Sequence, residues 1–187
     1  MRQPAVFLDR DGVINYNRYD YVKLWNEFAF LPGALAALGR LAALGWPVVV
    51  VSNQAAIGRG LVGRETVEEI NRQMLREVRA AGGRIDEVLY CPHGPDDGCD
   101  CRKPQPGLLR SAAGRLELDL SASFLVGDAE SDVLAAREAG CRPVLVKTGR
   151  GHDQLALLRS HGVDGFQVAD DLAAAVDWIA AQALVFG

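Results

Sequence analysis

The sequence predicts an α/β protein, a doubly wound Rossmann-like parallel sheet, from three observations. Short apolar runs rich in β-branched residues alternate along the chain with segments of helical period. Three of the runs end abruptly in polar side chains: 5–8 in Asp9 and Asp11, 48–51 in Ser52, and 123–126 in Gly127 and Asp128. The alternation runs the length of the chain, without an internal repeat or a low-complexity tract. Buried strands that repeatedly deliver polar groups at one end are what an open parallel sheet needs around a ligand crevice.

Each element follows from local pattern. Strand 5–8 carries Asp9 and Asp11 to its end, and Gly12 allows a tight turn after them. Taken alone, this could also be an acidic turn that binds nothing. Residues 15–30 hold Tyr16, Tyr19, Tyr21, Trp25, Phe28 and Phe30 without a clean period. They read as a long loop folding over the first strand's end, with Trp25, Phe28 and Phe30 packed against the body. Pro32 and Gly33 open a helix over 34–44, with Leu35, Leu38, Leu41 and Leu44 at helical spacing and Gly45 as its stop. The run 48–51 is a second strand, and the resulting βαβ unit puts Ser52 on the same edge as Asp9. Residues 55–63, with three glycines and Arg59, read as a flexible loop able to bring a cation to an anionic ligand.

Helix 65–81 presents Val67, Ile70, Met74, Leu75 and Val78 on one face and ends at Gly82 and Gly83. A third strand, 85–90, runs straight into CPHGPDDGCDCRKP, which has neither period. Then come a helix over 106–117, a fourth strand at 123–126, a short helix over 131–139 closed by Gly140, and a fifth strand at 143–146 followed by Lys147, Thr148 and Gly149. Helices over 153–160 and 171–181 finish the chain, which is expected to form one domain, 1–187.

Composition narrows the function. The chain is 49% apolar and 24% charged with a net charge of −4, and no basic cluster is interleaved with aromatics, which argues against nucleic acid as partner. No segment has the length of a membrane span or a signal-peptide core, so a cytoplasmic protein is expected, and with it a monomer acting on a small molecule. Three of the four cysteines fall within eleven residues, which in a reducing compartment points to metal ligation rather than disulfides.

The polar strand ends also fit one another chemically. Asp9 and Asp128 can ligate one hard divalent cation, Mg2+, which lifts the repulsion between a carboxylate nucleophile and a phosphate dianion. Ser52 and Lys103 suit the spread charge of a phosphoryl group in transfer. Asp11, not consumed by a covalent step, can serve as acid and then base. Cys91, His93, Cys99 and Cys101 supply three thiolates and an imidazole, a closed tetrahedral set for a structural Zn2+ in the loop 91–103. Its use would be to hold Arg102 and Lys103 toward a phosphate.

DRDGV, the strand ending in Ser52, Lys103 ahead of a helix, and GDAESD over 127–132 together resemble the four motifs of the haloacid dehalogenase (HAD) superfamily of phosphohydrolases. The resemblance implies Asp9 as nucleophile, Asp11 as general acid/base lending its backbone carbonyl to the metal, Ser52 and Lys103 as phosphate donors, Asp128 as the Mg2+ ligand and Asp132 as its neighbour. A narrower set, SNQ at 52–54, IGRG at 57–60, CPH at 91–93 and CDCRKP at 99–104, is similar to the D-glycero-D-manno-heptose 1,7-bisphosphate phosphatases. That similarity implies substrate contacts at Asn53, Gln54, Arg59 and Arg102, removal of the C7 phosphate of a sugar bisphosphate, and a cap reduced to loops, consistent with the absence of an inserted domain between Ser52 and Lys103. The five residues between His93 and Cys99 resemble the related histidinol-phosphate phosphatases, which leaves that substrate as an alternative. A phosphate-sensing or scaffold protein without turnover is the alternative of another class, and the intact Asp11 counts against it.

Overall fold

The computed structural model describes residues 2–186. Six parallel strands, β1 (Val6–Leu8), β2 (Val48–Asn53), β3 (Glu87–Cys91), β4 (Phe124–Gly127), β5 (Arg142–Val146) and β6 (Gln167–Ala169), form one sheet in the order β3-β2-β1-β4-β5-β6. The helices are α1 (Ala34–Ala43), α2 (Ala55–Gly58), α3 (Arg64–Ala80), α4 (Gly107–Leu116), α5 (Glu130–Ala139), α6 (Gly151–Ser160) and α7 (Leu172–Phe186).

The two-residue period of the strands divides the core between the faces of the sheet. Val6, Leu8, Val48, Val50, Phe124 and Val126 point to one side, against apolar residues of α1, α3 and α7. Phe7, Val49, Val51 and Leu125 point to the other, against α4 and α5. Because both faces are covered, the central strands read as unbroken apolar runs. Phe124 sits at the heart of the first layer, stacked on Trp46 at 6.2 Å between ring centres and met edge-on by Trp178 at 5.7 Å.

Three local features differ from the expectation. A sixth strand, β6, extends the sheet beyond β5; at three residues it is too short to carry a period. Residues 55–58 form the short helix α2, with Ala55 and Ala56 buried, where a flexible loop was expected. The third strand begins at Glu87, with Ile85 packing against the core just before it. Residues 15–30 do lie over the sheet's end, tightened by a single 3-10 turn at Trp25–Glu27. There Trp25 stacks on Phe28 and Phe28 meets Phe30 edge-on, while Tyr19 is 99% exposed. Among the described residues no helix is long and apolar enough to cross a membrane.

Candidate active site

From β1 the strand order runs one way to β2 and β3 and the other way to β4, β5 and β6, so loops diverge between the carboxyl ends of β1 and β4 and leave a crevice there. A cleft of about 400 Å³ opens at this point, with Asp9, Asp11, Ser52 and Lys103 in its wall and Arg18, Tyr19 and Tyr21 contributed by the loop above. Asp9 is fixed by the strand that carries it: its N–H donates to the Val126 carbonyl at 2.9 Å, extending the β1–β4 ladder by one rung.

Lys103 reaches this carboxylate from the far side of the zinc-type loop. Its Nζ lies 3.0 Å from Asp9 Oδ1 and 2.6 Å from Asp132 Oδ1, and donates to the Val51 carbonyl at 2.7 Å. Burial works against the ammonium, but the carboxylates of Asp132 and Asp9 outweigh it and hold Lys103 above the ordinary lysine range. Asp132 in turn accepts the Ala129 N–H at 3.0 Å, which fixes it on the first turn of α5. Burial pushes Asp9 up to about 7, the Lys103 ammonium opposing and the carboxylates of Asp132, Asp128 and Asp11 adding to the rise. Oxygens of Asp9, Asp128 and Asp132 lie within 4.8 Å of one another, so this pocket of excess negative charge has the donor set of a hard divalent cation.

Asp11 is held apart from that cluster. Its carboxylate accepts from Arg10 Nη2 at 2.9 Å, Asn15 Nδ2 at 2.9 Å and Gln54 Nε2 at 2.9 Å. Burial opposes its ionisation, but the Arg10 guanidinium and the bonds from Asn15 and Gln54 prevail and keep the carboxyl below the usual range. Arg10 is itself 1% exposed, donates to Asn71 of α3 at 3.1 Å and lies over the Phe28 ring.

Two residues expected at the substrate also serve the scaffold. Asn53 donates to the Lys103 carbonyl at 3.0 Å and accepts the Lys103 N–H at 3.0 Å, so it ties β2 to the lysine's backbone. Gln54 bridges Asp11 and the Ser52 hydroxyl, the latter at 2.8 Å.

The loop after β3 gathers Cys91, His93, Cys99 and Cys101 into one cluster. Cys91 Sγ is 3.2 Å from Cys101 Sγ and 3.6 Å from Cys99 Sγ, and His93 Nδ1 lies 3.5 Å from Cys91 Sγ and 3.3 Å from Cys101 Sγ. A tetrahedron with metal–sulfur bonds of about 2.3 Å has edges of roughly 3.8 Å, so these atoms can close on one ion with small adjustment. The same loop carries Arg102, which donates to the His93 carbonyl at 3.2 Å and lines the cleft. Gly58 of α2 backs onto this loop, where an added Cβ would come within 2.9 Å of the Pro92 carbonyl.

Arg59 lies outside the lining of the cleft: it is exposed and places its guanidinium over the ring of Tyr21, which does line it. Asp128 is fully buried beneath the cleft and pairs with Arg150, whose N–H donates at 2.8 Å and whose Nη2 lies at 3.3 Å. Arg10, Asn71 and Arg150 are absent from the expectation. The one sequence signal for Arg150 is a strand followed by Thr-Gly-Arg-Gly, a turn that parallels Asp-Gly after β1.

The chain is 43% identical over 174 residues to the D-glycero-beta-D-manno-heptose-1,7-bisphosphate 7-phosphatase of Pseudomonas aeruginosa, covering 93% of this chain and 96% of that protein. It is 43% identical over 178 residues to the enzyme of the same name from Bordetella bronchiseptica, covering 95% and 98%. The chain belongs to the heptose-1,7-bisphosphate 7-phosphatase family. A solved member of this family, D,D-heptose 1,7-bisphosphate phosphatase from B. bronchiseptica complexed with magnesium and phosphate, superposes with a TM-score of 0.90 at 42% identity over 96% of this chain and 99% of that one. A second, from Burkholderia thailandensis, gives a TM-score of 0.72 at 36% identity over 95% and 99%. A family profile described as HAD-hydrolase-like matches residues 100–175, a stretch that includes Lys103, Asp128, Asp132 and Arg150. The heptose-bisphosphatase relatives extend the likeness to nearly the whole chain and so bear out the resemblance read from DRDGV and the zinc-type loop.

Proposed function

We propose that this protein removes the C7 phosphate of D-glycero-D-manno-heptose 1,7-bisphosphate through an aspartyl-phosphate on Asp9. The observation that carries the reading is a buried Asp9 carboxylate gripped by Lys103 at the floor of the cleft, in a chain that matches a named heptose 7-phosphatase over 93% of its length.

Asp9 attacks the phosphorus, the bond to the sugar oxygen breaks, and Asp11 gives that oxygen its proton. The incoming phosphate supplies the negative charge that lets Asp11, held low in the free chain, carry a proton at that moment. Asp11 then takes a proton from the water that attacks phosphorus, releasing inorganic phosphate and restoring Asp9. Ser52 and Lys103 donate to the phosphoryl oxygens as charge spreads over them. Asp9, Asp128 and the backbone carbonyl of Asp11 are the groups to hold Mg2+, which when bound offsets the charge shared by carboxylate and phosphate. Cys91, His93, Cys99 and Cys101 are the groups to hold a structural Zn2+, keeping Arg102 and Lys103 in place.

Asn53 and Gln54 keep Lys103, Ser52 and Asp11 aligned, while Arg102 in the cleft wall is the cation for the sugar and its second phosphate, with Arg59 behind Tyr21 as the next one outward. The protein is read as a monomer of the reducing cytoplasm, a compartment that suits three clustered thiols. The test is phosphate release with Mg2+ from both anomers of the heptose bisphosphate and from L-histidinol phosphate, compared as kcat/KM. The bisphosphate is expected to be preferred by about 10⁴-fold, the scale on which a site built for a polar group rejects a ligand lacking it. A preference for histidinol phosphate would overturn the substrate assignment.

A further inference from the structure

Asp128 is the one carboxylate of the acidic cluster whose charged partner comes from outside the phosphate-binding set. It is 0% exposed, and both of its oxygens are taken by Arg150 in two different ways. Oδ2 accepts the Arg150 backbone N–H at 2.8 Å. That bond belongs to the turn: Thr148 Oγ1 donates to the Gly12 carbonyl at 2.7 Å, and Gly149, at φ +58°, passes so close that an added Cβ would lie 2.3 Å from Asp128 Oδ2 and 2.6 Å from Gly12 Cα. Among the described residues Oδ1 is met by the guanidinium alone, at 3.3 Å, from a side chain that is 55% exposed and lines the cleft. One oxygen is therefore pinned by backbone, and the other is covered by a cation that is free to move.

We propose that Arg150 is the resident counter-ion of Asp128, which it yields to a divalent cation, its guanidinium then turning into the cleft to hold a phosphate oxygen of the substrate. The proposal rests on the cation reading given under the function above. A guanidinium and a divalent cation on the same Oδ1 repel each other at contact distance, and the exposed partner on a flexible stem is the one that leaves. The backbone N–H stays on Oδ2, so Asp128 keeps its orientation throughout the exchange. Once released, the guanidinium has no other carboxylate in the cleft that lacks a cation: Asp9 and Asp132 are paired with Lys103, and Asp11 with Arg10. An anionic substrate is the partner left to it, and Arg150 thereby links cation binding to substrate binding.

Arg150→Met removes the charge and keeps the backbone N–H, and Arg150→Lys keeps the charge. Mg2+ alone is titrated calorimetrically into the full-length, zinc-loaded protein without phosphate, and KM and kcat for the heptose bisphosphate are then measured at saturating Mg2+. Arg150→Met is expected to bind Mg2+ about five-fold or more tighter than the wild type while its KM rises roughly ten-fold and kcat changes less, with Arg150→Lys between the two. Mg2+ affinity unchanged or weakened in Arg150→Met, or an unchanged KM, overturns the proposal while leaving the function standing. A wild-type protein that binds no Mg2+ overturns both.

Discussion

Lys103 holds two buried carboxylates at once, so its removal strands both. Lys103→Met leaves Asp9 and Asp132 facing each other without their cation; a loss of about 3–5 kcal/mol in urea denaturation is expected, because breaking a buried ion pair strands the remaining charge. Arg10→Met acts on the other acid. It strands Asp11 beside a buried gap and frees Asn71, so a loss of about 3 kcal/mol is expected, together with a fall in kcat that exceeds any change in KM because Asp11 loses its orientation. Wild-type stability in either variant contradicts the pairing described. Asp9, Asp11, Ser52 and Asp128 were legible in the sequence because each ends a recognisable apolar run, where residue type and position coincide. Arg10, Asn71 and Arg150 were not. A long cationic side chain declares its partner only when the backbone has been traced, and Arg10 lies between two acids in a turn where an outward-facing charge is the ordinary expectation.

At the scale of elements, the loop after β3 is the part that cannot hold itself. It has no ladder or helix of its own between Cys91 and α4, yet it must present Lys103 to a strand end. Cys99→Ser, or treatment with a strong chelator, is expected to lower the melting temperature and make residues 94–102 the first site of limited proteolysis; a wild-type digestion pattern after chelation would show that no metal holds the loop. The turn after β5 depends on close approach instead. Gly149→Ala forces a Cβ onto Asp128 and Gly12 at a positive φ, and a loss of about 1–3 kcal/mol with impaired turnover is the expected outcome of denaturation and kinetic assays. Strands β1, β2, β4 and β5 were legible because central strands covered on both faces are continuously apolar. Edge strand β6 and helix α2 were not, since three or four residues are shorter than either period needs to show itself.

For the whole molecule, the sheet order converts separate sequence signals into one site. The topology places β1 and β4 side by side at the switch point, and Asp9 and Asp128, distant in sequence, meet for that reason. The same central position makes Phe124 a keystone: Phe124→Ala is expected to cost about 3–5 kcal/mol and to perturb Trp46 and Trp178 fluorescence together. The chemistry proposed for this architecture hangs on one atom group, the Asp9 carboxylate, accepting the phosphoryl group. The measurement that tests it most directly is rapid acid quench of the wild-type enzyme during turnover of the heptose bisphosphate with Mg2+, followed by peptide mass spectrometry. One added phosphoryl group is expected on the peptide containing Asp9, and Asp9→Asn should carry none and turn over no substrate. A phosphoryl group on another residue, or turnover surviving in Asp9→Asn, would contradict the account.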